Sequence, residues 1–143
     1  MDHRVAIWNL LHDGEITALS EIAESLTMFV SIPYLRRRLN PLGDSFVLRL
    51  SGVKTFAACN FDGKLETLGE QLEVGSLEIL GTESKAMPVV IDTTMGKLTC
   101  SFEELNIELD SGDPITFEEI DRVALEYWDE WEQKAAKARD ASA

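Results

Sequence analysis

The sequence predicts a β-rich α+β fold, an antiparallel sandwich or partly open barrel of about eight strands with one long C-terminal helix packed on it. Three observations carry this. Short segments between residues 26 and 109 alternate apolar and polar side chains, as half-buried strands do. Turn dipeptides separate them, among them Asp13-Gly14, Asp62-Gly63 and Met95-Gly96. The segment from Thr116 to Arg139 instead places Phe117, Ile120, Ala124, Tyr127 and Trp131 at helical spacings of three and four. No βαβ alternation occurs, which argues against a doubly wound parallel sheet.

Taken in order, Val5–Leu11 is apolar and ends at His12-Asp13-Gly14. It reads as a first strand in a hairpin with Glu15–Leu19, with a short helix as the alternative. Leu26, Met28, Val30 and Ile32 alternate with polar or outward positions and form the next strand, which Pro33 ends. Phe46, Leu48 and Leu50 mark another, and Thr55–Phe61 a fifth. Leu65–Leu72 reads as a short helix or an irregular edge. Ser76–Leu80, Met87–Thr93, Leu98–Phe102 and Leu105–Leu109 complete the strand set, Pro88 suiting an edge or a strand start. One domain is expected over residues 1–143, with strands from roughly 5 to 109, a helix from roughly 117 to 138 and fraying beyond Ala138.

The helix carries its own start and stop signals. Thr116 followed by Glu119 is a capping-box pattern. Glu118, Glu119 and Asp121 lie at the positive end of the macrodipole, and Lys134, Lys137 and Arg139 at the negative end. The stripe predicts that Trp131 faces the sheet and is largely buried, so that its truncation to alanine costs roughly 3–5 kcal/mol.

Charge bounds the function. The chain of 143 residues carries a formal net charge of -13. Residues 1–72 hold nine Asp/Glu and seven Lys/Arg, whereas residues 73–143 hold seventeen and six. Such a chain lacks the cationic footprint that nucleic-acid phosphates and anionic membranes require, so neither is an expected partner. A basic protein is. No signal-peptide pattern and no run of apolar residues long enough to span a bilayer occurs, which leads us to expect a cytoplasmic protein. Cys59 and Cys100, both in apolar stretches, read as buried thiols in that compartment.

Catalytic signatures are missing. The sequence has no C-x-x-C, H-E-x-x-H, G-x-S-x-G, Walker A or G-x-G-x-x-G motif. Its two histidines are His3, near the terminus, and His12, which reads as a solvated turn residue. Asp92 sits in an apolar run and reads as a strand-end carboxylate. Asp110-Ser111-Gly112-Asp113 lacks the spacing of a calcium loop and reads as a turn. No catalytic residue, metal or cofactor is therefore expected.

Two clusters remain as candidate sites. Arg36, Arg37 and Arg38 form the one basic triplet, read either as intramolecular partners of the acidic C-terminal half or as a patch for an anion or acidic partner. Trp128, ringed by Glu126, Asp129 and Glu132, is the candidate partner-binding surface, since interface hot spots favour Trp and Tyr. The combined expectation is a non-enzymatic acidic protein-binding module, of which an immunity or inhibitor protein is one specific form. A small-ligand binder or enzyme with a pocket in a barrel-like fold is the alternative, and an assembly subunit joining identical copies the third.

Overall fold

The alternating segments are strands, and they pair so that their apolar residues fall in rows. The computed structural model describes residues 2–141. Its elements are α1 (His3–Leu10), β1 (Glu15–Ile22), β2 (Ser25–Ser31), α2 (Pro33–Arg36), β3 (Ser45–Ser51), β4 (Thr55–Cys59), β5 (Leu65–Glu66), α3 (Leu68–Val74), β6 (Leu77–Thr82), β7 (Val89–Thr93), β8 (Gly96–Ser101), β9 (Glu104–Leu109), β10 (Pro114–Ile115) and α4 (Phe117–Ala141). Every strand pair is antiparallel. The order across the open ten-stranded sheet is β10-β9-β3-β2-β1-β6-β7-β8-β4-β5.

In the first half of the sheet, Leu26, Leu50 and Leu105 lie side by side on β2, β3 and β9. Met28, Leu48 and Ile107 form the next row, and Val30, Phe46 and Leu109 the third. The second half repeats the device: Val89, Cys100 and Phe56 form one row on β7, β8 and β4, and Ile91, Leu98 and Ala58 another. Such same-face neighbours are the unit of sheet stabilisation. Among the described residues, strand pairing joins the two halves where Glu15 pairs with Glu78 and Ile16 with Leu77. Both sets of rows nevertheless feed one contiguous core, completed by Val5, Ile7, Trp8 and Leu11.

The N-terminal segment is helix α1, not the strand expected for Val5–Leu11. Asp2 caps it by accepting a hydrogen bond from Arg4 N at 3.0 Å. Val5, Trp8 and Leu11 recur at intervals of three, so one helical face enters the core. Asp13-Gly14 therefore turns a helix into β1. The N–H of Asp13 donates to Ile79 O at 2.8 Å and that of Gly14 to Leu11 O at 2.9 Å. A Cβ on Gly14 would lie 2.7 Å from Val30 Cγ1, which is why only glycine fits. Asn9 ties the helix to the sheet, its amide bonding both Thr82 N and Thr82 O.

The first strand thus begins at Glu15 rather than near residue 5, and β10 adds a short pairing beyond Leu109. Leu65–Leu72 divides into β5 and the start of α3, whose capping box joins Thr67 and Glu70. Both cysteines are free; Cys100 is buried, but Cys59, at the end of β4, is only half-buried. No helix among the described residues is long and apolar enough to cross a membrane.

Helix α4 starts as its sequence predicts. Glu119 N donates to Thr116 Oγ1 at 3.2 Å. It continues past Ala138 to Ala141, through a segment rich in alanine, the best helix former; the last two residues of the expected frayed end lie outside the described residues. It reaches the body chiefly through α1 and α2, and it buries Ile120, Val123 and Ala124.

Candidate binding surface on the C-terminal helix

A chain of ring contacts seats α4. The His3 ring stacks on Phe117 with centroids 4.0 Å apart, so this histidine is held at the start of α1. Tyr34 of α2 stacks on Tyr127 at 4.4 Å. The His12 ring, expected to be simply solvated, stacks on Trp128 at 5.3 Å while its Nδ1 lies 2.7 Å from Asn9 O. Trp128 also meets Tyr34, Tyr127 and Trp131 edge-on. It is half-buried and marks the point where the packed part of α4 ends.

Polar contacts fix the same seam. Tyr34 OH donates to His12 O at 3.2 Å. Burial, with help from the charge of Asp13, pushes the Tyr34 hydroxyl up to about 12. Arg38 binds both carboxylate oxygens of Glu130, with Nη1 3.2 Å from Oε1, and its guanidinium sits 5.4 Å from the Tyr127 ring centre. The Arg38 hydrogen bond holds the Glu130 carboxyl below the ordinary range.

The arginine triplet does not form one patch. Arg36 is fully buried. Its Nε donates to Ser45 O and to Asp110 Oδ1, and its Nη1 to Pro41 O at 2.7 Å. Its Nη2 lies 2.7 Å from Asp110 Oδ1 as an ion-pair contact without hydrogen-bond alignment. Burial works to raise the Asp110 carboxyl. The N–H groups of Asp44 and Ser45 and the Arg36 guanidinium outweigh it and hold that carboxyl below its ordinary value. Arg38 faces α4, and Arg37 alone is exposed. Two of the three arginines thus serve the intramolecular role, and no anion site can be assembled from the triplet because Arg36 is out of reach.

Beyond Trp128 the helix is largely open. Residues 129–134 are all exposed, more than one full turn, although Arg38 reaches Glu130 and Trp128 meets Trp131 there. Trp131 is 54% exposed rather than buried against the sheet. The stripe is where the sequence puts it, but the body ends before reaching it. Asp129, Trp131, Glu132 and Ala135 line a shallow surface depression with Arg139. Glu126, one turn before Asp129, is exposed and accepts from Arg122 at 3.0 Å. Of the predicted surface, Glu126, Asp129 and Glu132 are therefore on the exposed helix, and Trp128 is its anchor to the body. Trp131, which the sequence reading assigned to the core, is the exposed indole. Its position between Glu130 and Glu132 was the available signal.

Comparison with family models, curated proteins and solved structures gives no match.

A second surface feature is an open depression of about 700 Å³ over β4, β7 and β8, with Cys59, Phe61 and Leu80 on its apolar side. Lys97 and Asp92 lie at its edge, paired at 2.8 Å. Asp92 is thus a strand carboxylate with a lysine partner. Among the described residues no group of three His, Cys, Asp or Glu side chains is placed to hold a metal ion.

Proposed function

We propose that this chain is a non-enzymatic protein-binding module that docks a basic partner on the acidic outer face of α4. The observation that supports it is the exposed stretch of helix carrying Asp129 and Glu132, with Glu126 one turn before. Glu118 and Glu119 extend the negative charge toward the helix start. A basic surface would be steered to such a ridge and oriented by it, and the tryptophans beside it supply contact area. An immunity or inhibitor role in the cytoplasm is the specific form of this reading. The free thiols of Cys59 and Cys100 are in keeping with that compartment.

The test compares the wild type with a Glu126→Lys/Asp129→Lys double variant. Capture from source-cell lysate is expected at low salt, to be lost at high salt, and to be lost in the variant while circular dichroism is unchanged. Capture insensitive to both salt and the variant would overturn the reading. The depression lined by Phe61 and Leu80 favours a second reading, a small apolar ligand with one polar group held near Lys97. A thermal-shift screen decides it: a compound that raises the melting temperature of the wild type and not of Phe61→Asp supports this alternative.

A further inference from the structure

We infer that Leu125 is the apolar centre of the docking face on α4, and that the partner it fits is a basic amphipathic helix carrying one apolar residue among its lysines and arginines. The inference rests on the partner-binding reading. It adds to that reading the form of the partner and the residue that selects it.

The first ground is exposure. Helix α4 buries Ile120, Val123 and Ala124 against the body. Leu125 comes next in the chain, yet 59% of its surface is open. It lies within the packed part of the helix, so its exposure is one of direction: it stands on the side turned away from the core. A single exposed leucine is ordinary in itself. Its setting is not.

The second ground is that setting. Glu118 and Glu132 stand seven residues before and after Leu125, and Asp121 and Asp129 four before and after. Steps of four and seven return a helix to nearly the same side, so the carboxylates bracket the leucine toward both ends of α4. Glu118, Asp129 and Glu132 are exposed and Asp121 is half-buried. The neighbouring cation, Arg122, donates to Glu126 at 3.0 Å. Three residues on, the half-buried Trp128 borders the face, its ring held by His12 and Tyr34.

This chemistry names the occupant. A second copy offering the same face would set carboxylate against carboxylate, which disfavours self-association here. A cationic partner is required, and the spacing asks for a helix. From Glu118 to Glu132 the face runs for about 21 Å of helix axis. A partner helix laid along it repeats the same turn, so an apolar residue on Leu125 brings lysine or arginine four and seven residues away beside the carboxylates. An extended strand, with same-side residues about 6.7 Å apart, loses step over that length. The charges then steer and orient the partner, and the desolvated leucine discriminates among basic partners.

Isothermal titration calorimetry with two synthetic peptides tests this. Both are alanine-based helices of about 15 residues, with lysine four and seven residues either side of a central position. That position is leucine in one and glutamine in the other. The wild type is expected to bind the leucine peptide about tenfold more tightly. Leu125→Gln is expected to bind both peptides alike, at the level of the glutamine peptide. Its circular dichroism and melting temperature should be unchanged, since the side chain is exposed. A wild type that does not distinguish the peptides, or a preference that survives Leu125→Gln, overturns the inference. The Glu126→Lys/Asp129→Lys variant separates this from the wider reading. If that variant loses both peptides while the wild type treats them alike, charge-driven docking stands and the leucine centre does not. If neither peptide binds the wild type at low salt, the helical partner is overturned, and the lysate capture decides the wider reading by itself.

Discussion

The guanidinium of Arg36 and the carboxylate of Asp110 meet at 2.7 Å across 74 residues of sequence, tying the loop after β9 to the turn after α2. Arg36 is fully buried, while Asp110 keeps 27% of its side-chain surface exposed. Replacing Asp110 by alanine leaves a buried cation without its counter-charge, and we expect a loss of about 3 kcal/mol. The carbonyls of Ser45 and Pro41 still solvate the guanidinium, which limits the damage. The effect carries a pH signature. The Asp110 carboxyl is held below its ordinary value of 3.8 in the folded chain. Its contribution is therefore complete above the unfolded pKa and is lost as pH falls through the folded one. Urea unfolding should show the gap between wild type and Asp110→Asn constant from neutral pH down to about 5 and closing below about 4. A gap that is the same at pH 2 and pH 7 would remove the ion pair from the account.

Tyr34 predicts the opposite limb. Its hydroxyl is raised from 10.0 to about 12 by burial against α4 and by the charge of Asp13. A raised folded pKa gives stability that is present below the unfolded value and lost as pH rises toward the folded one. Between pH 10 and about 12 the wild type should therefore lose stability relative to Tyr34→Phe, which cannot ionise. Below pH 10 the variant should be weaker by about 1 kcal/mol, the net worth of its hydrogen bond to His12 O. Parallel stability curves across the alkaline range would contradict the burial of this hydroxyl.

What the sequence revealed depended on the range of each signal. The period-two alternation of Met28, Leu48 and Ile107 is local, and it located β2, β3 and β9 within a residue or two of their ends. Asp13-Gly14 is equally local but ambiguous, because a helix can enter a strand through the same turn; the three-residue recurrence of Val5, Trp8 and Leu11 decided for helix. Thr67 and Glu70 spell a capping box in the sequence, yet the helix they start is only seven residues long and its pattern is too short to read. Arg36 became a buried residue through Asp110, a partner no local pattern identifies. The candidate surface was half legible. Charge marked Glu126, Asp129 and Glu132, but the exposed tryptophan beside them is Trp131 rather than Trp128. Periodicity names the side of a helix that turns inward. It does not say how far along that helix the body extends.

Two tryptophans therefore exchange the roles that hydrophobicity alone assigns them. Trp8 lies in α1 with no exposed surface, and its Nε1 donates to Arg4 O at 2.9 Å. Trp131 leaves 54% of its surface open. Trp8→Ala removes a filled volume from the single core and should cost about 3–5 kcal/mol. Trp131→Ala opens no buried cavity, since that indole is half exposed and Trp128 is the ring it meets, and alanine is the better helix former. Its cost should stay below about 1 kcal/mol. The expectation from the stripe alone was the larger figure for Trp131, so urea unfolding of the two variants separates the readings. A loss above 2 kcal/mol for Trp131→Ala would mean that α4 folds back and covers its outer half.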